Sequence, residues 1–387
     1  MHRSTDRILT THTGSLPRPA GLVEMHAARE SGQPVDSAAF AGRIRTAVAD
    51  TVRAQAAAGI DVVSDGEMGK PGFFQYVRNR IAGLDGIDRT PAPFNLDPDF
   101  PGFPEWRTKY RGAASLYAGG RPLCTGPLAW KDRAALDTDL ANFKAALAGA
   151  NVAEAFVPSA SIGIIAQRIE NHYYPSYEDY VHAIAGVMRD EYQAIAAAGF
   201  VLQIDAPEMC IDRNRPPYID KPIGDFRAVM ELWVEALNGA LAGIPEEQVR
   251  FHMCWGNQEG PHVRDVPLSE IADIMLKVHA AAYSVEASNP RHAHEWRVWQ
   301  HVKLPDGKVL IPGVIDSTTN FVEHPELVAD RIETYARIVG REQVMAGTDC
   351  GFGTGAGSVQ VYPPIVYAKL HALAEGAAIA TKRLWGR

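Results

Sequence analysis

The stretch YEDYVHAIAGVMRDEYQAIAAAGFVLQIDAPE, residues 177–208, decides the fold class of this chain. Its first part has the apolar spacing of an amphipathic helix, ends in an Ala-Gly step, and leads into an apolar run that stops at Asp205. The segments SAAFAGRIRTAVADTVRAQAAAGI and DVVSDGEMG repeat this order, as do PELVADRIETYARIVG and VMAGTDCG. Helices alternating with buried strands predict a parallel sheet of the α/β class.

Counting the strands sharpens that prediction. With EAFVPSAS included, eight helix-coupled strands can be found, which predicts a (β/α)8 TIM barrel as a single domain over residues 1–387. The region 82–155 breaks the rhythm and is rich in Pro, Gly and aromatic residues. It is too long for an ordinary connection, so we expect an excursion between strands 2 and 3 that lies over the barrel mouth. RPLCTGPL, near 121–128, is a surplus strand within it.

The composition and net charge of the chain argue against several classes of function. Hydrophobic residues make up 46% and charged residues 22% of the 387 residues, which is ordinary for a globular protein. The net charge of −8 argues against nucleic acid or an anionic membrane as a principal partner. Four cysteines in so long a chain do not form a disulfide framework, and the first residues lack an apolar segment of signal-peptide length. We therefore expect a cytoplasmic enzyme.

Three separate strand ends carry side chains that bind transition metals. They are His252 and Cys254 in RFHMCWG, Glu286 in YSVEAS, and Cys350 in MAGTDCG. Residues two apart on a strand project from the same face, so His252 and Cys254 can meet one ion. Zn²⁺ takes nitrogen and sulfur ligands and keeps an exchangeable position in catalytic sites. The pattern predicts a zinc centre, although buried cysteines that merely pack are common.

Other polar residues lie at the same strand ends. Asp65, Asp316 and Asp349 fit helix caps or ion-pair partners as well as they fit catalytic groups. Glu67 and Asp205 favour a functional reading, because both would point into the mouth that holds the metal ligands. Cys124 and Cys210 have no partner pattern and are expected to pack.

Seven motifs in order resemble the catalytic C-terminal barrel of cobalamin-independent methionine synthase. They are TGSLP at 13–17, DGEMG at 65–69, QIDAPE at 203–208, HMC at 252–254, VEAS at 285–288, GVID at 313–316 and TDCG at 348–351. The resemblance implies that zinc is bound by His252, Cys254, Glu286 and Cys350. It also implies that a second set of residues holds the amino-acid part of homocysteine, namely Thr13, Gly14, Ser15, Glu67 and Asp205.

Departures from the family concern the methyl donor. A histidine that acts as proton donor in the family is replaced by Thr318, and a threonine cannot supply a proton near neutral pH as imidazole can. The folate-stacking tryptophan has no counterpart in VPSASIGIIAQ, and Tyr173 with its neighbours is predicted to line a different pocket. We therefore expect a zinc-dependent S-methyltransferase whose catalytic group includes Glu67, Asp205 and Thr318. Its donor would be a methylated corrinoid protein or a small methylated compound, and not polyglutamyl folate.

Two alternatives stay open at this point. One is a thiol alkyltransferase of the epoxyalkane:coenzyme M transferase type, a short relative of the same family. Two carboxylates would repel the sulfonate of coenzyme M unless Lys70, Arg78 or Arg80 intervenes. The other is a non-catalytic barrel that binds zinc or a ligand.

Overall fold

A computed structural model describes residues 1–89, 102–103, 120–358 and 360–386. The strands in this part are β1 Val62–Val63, β2 Ile81–Ala82, β3 Gly86–Asp88, β4 Arg121–Cys124, β5 Ala129–Trp130, β6 Glu154–Ala160, β7 Glu170–Asn171, β8 Val201–Asp205, β9 Val249–Met253, β10 Ala282–Val285, β11 Val309–Ile315 and β12 Gly347–Thr348. The α-helices are α1 Ala20–Glu30, α2 Ser37–Ala57, α3 Phe73–Arg80, α4 Ala134–Ala146, α5 Ile162–Arg168, α6 Tyr177–Ala197, α7 Glu208–Ile211, α8 Ile223–Leu241, α9 Ala272–Met275, α10 Pro325–Val339 and α11 Pro363–Trp385. Short 3-10 helices lie at Asp212–Asn214, Glu246–Gln248, Leu268–Glu270, Glu295–Gln300 and Arg341–Gln343.

The main sheet is parallel and curled. It contains β1, β6, β8, β9, β10, β11 and β12 in that order. Its two edges approach each other at one segment, where Thr10 forms a bridge with Ala346 and Thr11 forms a bridge with Val62. The predicted α/β class with a parallel sheet is confirmed, and the first predicted strand consists of these two single-residue bridges.

Side chains explain why the first segment is not a regular strand. The backbone N–H of Thr10 donates to Asp61 Oδ2 at 2.9 Å, and the N–H of Leu9 donates to Ser4 Oγ at 3.0 Å. Only part of the backbone hydrogen-bond ladder of a parallel strand therefore forms here, including the bond from Thr11 N to Ala346 O at 2.9 Å. Local side-chain acceptors therefore compete with strand pairing here.

Apolar residues pack on both faces of the main sheet. The larger core lies between the sheet and its helices, where α6 packs on α8 and α10 packs on α11. A second, smaller cluster contains one or two residues each from β1, β6, β8, β10 and β11, together with one residue before Thr10 and one just before β12. Its members are Leu9, Val62, Phe156, Val201, Ala282, Val309, Ile311 and Met345. Arg250 is buried near it, with its guanidinium 3.4 Å from the Phe156 ring centroid.

The segment predicted as an excursion divides into two parts. The predicted surplus strand is β4, which pairs with β3 and with β7, a strand that follows β6 and α5. Helix α4, which the prediction had included in the excursion, packs on α2 in the outer helical layer. Residues 90–101 and 104–119 lie outside the described residues, so the coverage of the mouth stays a prediction.

Two further observations concern the helices. The apolar spacing of LSEIADIMLKVHAAAY predicts one long helix before the strand that ends in SVEAS, but the structure has a 3-10 turn and the short helix α9 there. Among the described residues, no helix combines the length and apolar character that crossing a bilayer requires.

Candidate metal centre

Three of the four predicted metal ligands come together at the carboxyl ends of β9 and β12. The imidazole of His252 and the thiols of Cys254 and Cys350 offer ligand atoms that all lie within 4.8 Å of one another. All three residues are buried, with exposures of 2%, 5% and 6%. We call these residues the imidazole–thiol cluster. One nitrogen and two sulfurs form a donor set that suits zinc.

His252 is oriented by a neighbouring strand. Its Nδ1 lies 3.2 Å from Ser284 Oγ on β10, whereas its Nε2 is buried and has no hydrogen-bond partner in the part of the chain that the structure describes. A buried nitrogen without a partner is costly, and metal-bound imidazoles typically engage the second ring nitrogen in a hydrogen bond. The unpartnered Nε2 therefore fits a ligand to a metal ion.

The two thiols are unequal in proton affinity. A hydrogen bond from Cys350, together with the nearby His252, holds the pKa of Cys254 well below its usual value. The same pairing and burial raise the pKa of Cys350. The cluster thus stabilises at least one thiolate, which is the form that binds metals.

Glu286, the fourth predicted ligand, lies next to this cluster without belonging to it. Its Oε1 accepts from Trp255 N at 2.9 Å and its Oε2 accepts from Asn289 Nδ2 at 2.8 Å. Burial and the charge of Cys254 raise the pKa of Glu286 well above its usual value. The carboxylate is therefore held at the cluster by neutral donors, and its role as a ligand stays a prediction.

Asp349 fixes the loop that carries Glu286. Its Oδ1 accepts from Ala287 N at 2.8 Å and Ser288 N at 2.9 Å, and its Oδ2 accepts from Asn289 N at 2.9 Å. Asp349 therefore caps this turn. Asp316 caps another turn in the same way, because it accepts from the backbone N–H groups of two following residues. Because Asp349 directly precedes Cys350 in sequence, one carboxylate positions two parts of the site.

Asp205 lies beside the cluster on the adjacent strand. It is the register partner of His252 in the β8–β9 pair, and its Oδ1 accepts from Gln203 Nε2 at 2.6 Å. Burial, together with the nearby charge of Glu67, raises the pKa of Asp205 to about 7. No ion pair to Asp205 is found within the described parts of the chain. Asp205 could therefore bind a cationic group of a substrate.

Glu67, in contrast, already has two cationic neighbours. Lys70 Nζ lies 3.3 Å from Glu67 Oε1, and Arg18 Nη2 lies 3.9 Å from Glu67 Oε2. All three side chains are at least nine-tenths buried, and Glu67 adopts a φ of 59° that few non-glycine residues show. We call Arg18, Glu67 and Lys70 the Glu67 ion-pair group.

The loop after the first segment joins this group to the end of β12. The carbonyl of Ser15 accepts from Phe352 N at 2.9 Å, and the Thr13 hydroxyl lies 3.2 Å from Thr348 O. Gly14 has a φ of 127°, and a Cβ there would lie 2.5 Å from Pro158 Cγ, so the turn requires glycine. The predicted residues 13–15 therefore lie against the loop that carries Cys350.

Two predicted site residues are engaged elsewhere. The Thr318 hydroxyl donates to Asp316 Oδ1 at 2.8 Å, so its single proton is already committed within its own turn. Tyr173 is half exposed on the turn after β7, where its ring meets Tyr174 edge-on at 5.1 Å. None of the described contacts of Tyr173 reaches the imidazole–thiol cluster.

Arg18 is the residue that the sequence reasoning missed, since nothing in TGSLPRP shows that an arginine will be buried. The sequence indicates Lys70 only as a cation that could offset the repulsion of a sulfonate, and it leaves Asp349 open between a cap, an ion-pair partner and a catalytic group. A signal for Lys70 did exist, because it lies three residues after Glu67, a spacing that brings the two side chains together in a helical turn.

The fold and the cluster define an α/β protein with a group of His and Cys side chains that could hold a metal ion at the ends of its parallel strands. The chain belongs to the cobalamin-independent methionine synthase family, because the family described as cobalamin-independent synthase, catalytic domain, matches residues 169–366, which is slightly more than half of the chain. This family is metal-dependent, and membership supports a methyltransferase.

Two curated relatives cover nearly the whole chain. A protein named methionine synthase from Thermococcus kodakarensis is 25% identical over 381 residues, which is 97% of this chain and 94% of that protein. A 2-hydroxypropyl-CoM lyase from Xanthobacter autotrophicus is 26% identical over 407 residues, covering 97% and 96%. Among solved structures, a B12-independent methionine synthase from Shewanella sp. W3-18-1 shares the fold with a TM-score of 0.72 at 20% identity, covering 98% of this chain and 100% of that one.

Proposed function

We propose that this chain is a zinc-dependent S-methyltransferase that activates a small thiol, homocysteine, for methyl transfer from a donor other than polyglutamyl folate. The observation that carries the proposal is the buried imidazole–thiol cluster with the unpartnered Nε2 of His252. The family and its methionine synthase relatives support the reaction class.

We also propose that the fold is a complete (β/α)8 barrel. The bridges at Thr10 and Thr11 link the two edges of the seven-stranded sheet and would supply the eighth strand. The apolar cluster that joins Leu9 to residues of β1, β6, β8, β10 and β11 supports an enclosed interior. In such a barrel, all the strand ends that carry site residues open at one mouth.

The ligands of the proposed zinc ion are His252, Cys254 and Cys350, with Glu286 as a fourth ligand that yields to the acceptor sulfur. Bound zinc would lower the pKa of a coordinated acceptor thiol and so supply a strong nucleophile at neutral pH. Ser284 and Asp349 position the residues around the ion through the contacts described above. Burial of the cluster excludes water from the sulfur.

Asp205 is proposed to accept hydrogen bonds from the ammonium group of the acceptor. It adjoins His252 and has no resident counter-ion among the described residues, so an ammonium would stabilise its ionised form. In the transfer itself, the new S–CH3 bond forms as the donor–CH3 bond breaks, and the donor keeps the bonding electron pair. Thr318 has no free proton to offer the departing donor, because its hydroxyl donates to Asp316. A corrinoid protein, or a small methylated compound whose sulfur or nitrogen is positively charged, would need no such proton, because the charged compound leaves as a neutral molecule.

A thiol alkyltransferase is the second proposal, and a specific observation favours it. Arg18 and Lys70 both approach Glu67, so this carboxylate would repel an anionic acceptor less than its charge alone implies. Arg78 and Arg80 make no such approach, since they pair with Glu30 and Glu191. The similarity to a 2-hydroxypropyl-CoM lyase supports the same alternative.

Zinc K-edge X-ray absorption on purified protein would test both proposals. We expect a shell of two sulfurs with nitrogen or oxygen ligands, which gains a third sulfur when homocysteine is added. The Cys124→Ser variant is the matched control, since Cys124 is buried outside the cluster and its loss should leave the spectrum unchanged. A shell that gains sulfur only with coenzyme M would favour the alkyltransferase, and protein that takes up no zinc would overturn both proposals.

A further inference from the structure

The guanidinium of Arg18 is buried with an unsatisfied edge. Its Nη1 donates to Gly353 O at 2.6 Å, while its Nε and Nη2 have no hydrogen-bond partner among the described residues. The 3.9 Å between Nη2 and Glu67 Oε2 is an ion-pair distance and too long for a hydrogen bond. A guanidinium has five donors in a planar fork, and leaving buried charged donors unused is costly.

Neighbouring residues do not complete this edge. Glu67 is the nearest carboxylate, but its Oε1 is taken by Lys70, whose Nζ also donates to Pro158 O at 2.6 Å. Asp65 directs its Oδ1 to the backbone N–H of Glu67 at 2.8 Å. The local carboxylates are thus committed to Lys70 and to the backbone, and none of the described residues supplies a hydrogen-bond acceptor to Nε and Nη2 of Arg18.

Arg18 also lies where an acceptor would be held. It is three residues after Ser15 and is anchored to Gly353, which is three residues after Cys350. The bond from Phe352 N to Ser15 O ties the same two loops together. Glu67 interacts electrostatically with both Arg18 and Asp205. Arg18 and Asp205 therefore lie on the same side of the site, close to one shared carboxylate.

We propose that the free edge of Arg18 binds the anionic head group of the acceptor thiol. The head group would be the carboxylate of an amino-acid thiol or the sulfonate of a sulfonated thiol, and either oxyanion can bridge Nε and Nη2 in a bidentate fashion. With Asp205 for an ammonium group, Arg18 completes a zwitterion site for an amino-acid thiol. Because this edge is shielded from solvent, acceptor binding must move the side chains that cover it. The proposal rests on the function proposed above.

Calorimetric titration of zinc-loaded protein with matched thiols tests the assignment. The probes are homocysteine, aminopropanethiol (homocysteine without its carboxylate), mercaptobutyrate (homocysteine without its amine) and coenzyme M. In Arg18→Met we expect the affinity for homocysteine and mercaptobutyrate to fall by about tenfold or more, as for a lost charge-assisted hydrogen bond. The affinity for aminopropanethiol should change by less than about twofold, because that thiol has no group for Arg18 to bind.

Arg78→Met is the control, because Arg78 is partly exposed and faces Glu30 at 3.6 Å, away from the Glu67 ion-pair group. Arg18→Lys should recover part of the affinity for the anionic thiols. Equal losses for all four thiols in Arg18→Met, or no loss for any, would overturn the proposal. If Arg18→Met does not fold, wild-type protein decides: aminopropanethiol binding as tightly as homocysteine would overturn it.

The outcomes separate this proposal from the function on which it rests. If thiols bind and are alkylated without regard to Arg18, only the head-group assignment fails. If wild-type protein binds no thiol at all, the proposed function fails and the head-group assignment fails with it. Preference for homocysteine over coenzyme M would identify a carboxylate as the natural head group, and the reverse preference would identify a sulfonate.

Discussion

Buried carboxylates around the Glu67 ion-pair group and around the imidazole–thiol cluster are stabilised by different partners. Glu67 and Glu191 have cationic partners, although Asp65 beside them accepts from a backbone N–H. Glu191 pairs with Arg80 at 2.6 Å, and although burial favours its neutral form, Arg80 and Ser159 lower the pKa of Glu191. Near the cluster the partners are neutral amides, and burial raises the pKa of Asp349 to about 6.

The difference has a chemical meaning. Carboxylates that are paired with cations stay ionised and fix their surroundings, so they belong to the scaffold of the acceptor side. Carboxylates that accept hydrogen bonds from neutral amides would be stabilised further by a nearby positive charge, which a metal ion would supply. Glu286 and Asp349 are of the second kind. A positive ion within the imidazole–thiol cluster would therefore stabilise the charges around it.

Removing one thiol of the cluster should have the largest effect. In Cys350→Ser we expect zinc content to fall by well over tenfold, because loss of even an outer partner costs about 10- to 100-fold in metal affinity. The measurement is metal analysis of protein purified with equal zinc exposure. Cys124→Ser, which alters a buried thiol 3.5 Å from Gly126 O, should retain its metal. Equal zinc in both variants would contradict the metal centre.

Asp349→Asn should have the next largest effect. Asparagine keeps one acceptor oxygen and adds donors that face the backbone N–H groups of residues 287–289, so the loop that carries Glu286 should loosen. We expect zinc affinity to fall by about 10- to 100-fold, as for other outer-shell changes, measured by competition with a chelator. Asp316→Asn, which disrupts the equivalent turn one strand away, should leave zinc affinity unchanged. Similar losses in both would mean that any weakened turn disturbs the site.

Some parts of this arrangement could be predicted from the sequence and others could not. The strands that end in Asp205, Met253 and Thr348 were predictable, because apolar runs after Ala-Gly helix ends depend on local patterns. The meeting of His252, Cys254 and Cys350 followed from those strands, since the ends of parallel strands share one edge of a sheet. The place of Arg18 was not predictable, because its partner Gly353 is 335 residues away in the chain.

Two other features of the structure have equally local causes. Thr318, which the family resemblance aligns with a histidine, donates its hydroxyl proton to Asp316 two residues away and forms a turn. The helix expected at LSEIADIMLKVHAAAY is interrupted, where Leu268 N donates to Glu295 Oε1 at 2.7 Å from another loop. Tertiary partners of this kind override helical spacing, and no sequence pattern announces them.

Glu208 is a third kind of buried carboxyl group, because neither cations nor amide donors stabilise both of its oxygens. Its Oε1 accepts from Ser161 Oγ at 2.7 Å, its Oε2 has no hydrogen-bond partner, and burial raises the pKa of Glu208 to about 8. Since this folded-state pKa lies above the ordinary glutamate pKa of 4.5, the folded protein binds one more proton than the unfolded chain between these two pH values. The stability that Glu208 contributes is therefore present below pH 4.5 and is lost as the pH rises through about 8.

Glu208→Gln should remove this pH dependence. At pH 5 we expect the variant and wild type to differ little, whereas at pH 9 the variant should be more stable by on the order of 4 kcal/mol, or about 5 °C in Tm for a chain of this size. Thermal unfolding of both proteins at the two pH values gives the comparison. A difference in Tm that is the same at both pH values would mean that Glu208 does not carry the proton.

Thr318→Val should have the smallest effect and tests the proton-donor position directly. The backbone N–H of Thr318 would still donate to Asp316 Oδ1 at 3.0 Å, and Thr319 would still donate to Oδ2, so the turn should persist. We expect kcat to stay within about threefold of wild type, whereas loss of a true general acid costs about 10²- to 10⁴-fold. The pH profile of kcat separates the two cases, because a catalytic hydroxyl would change its shape and a structural one would not. A loss beyond a hundredfold with an altered profile would return Thr318 to the catalytic group, and the donor would then have to be one that leaves with a proton.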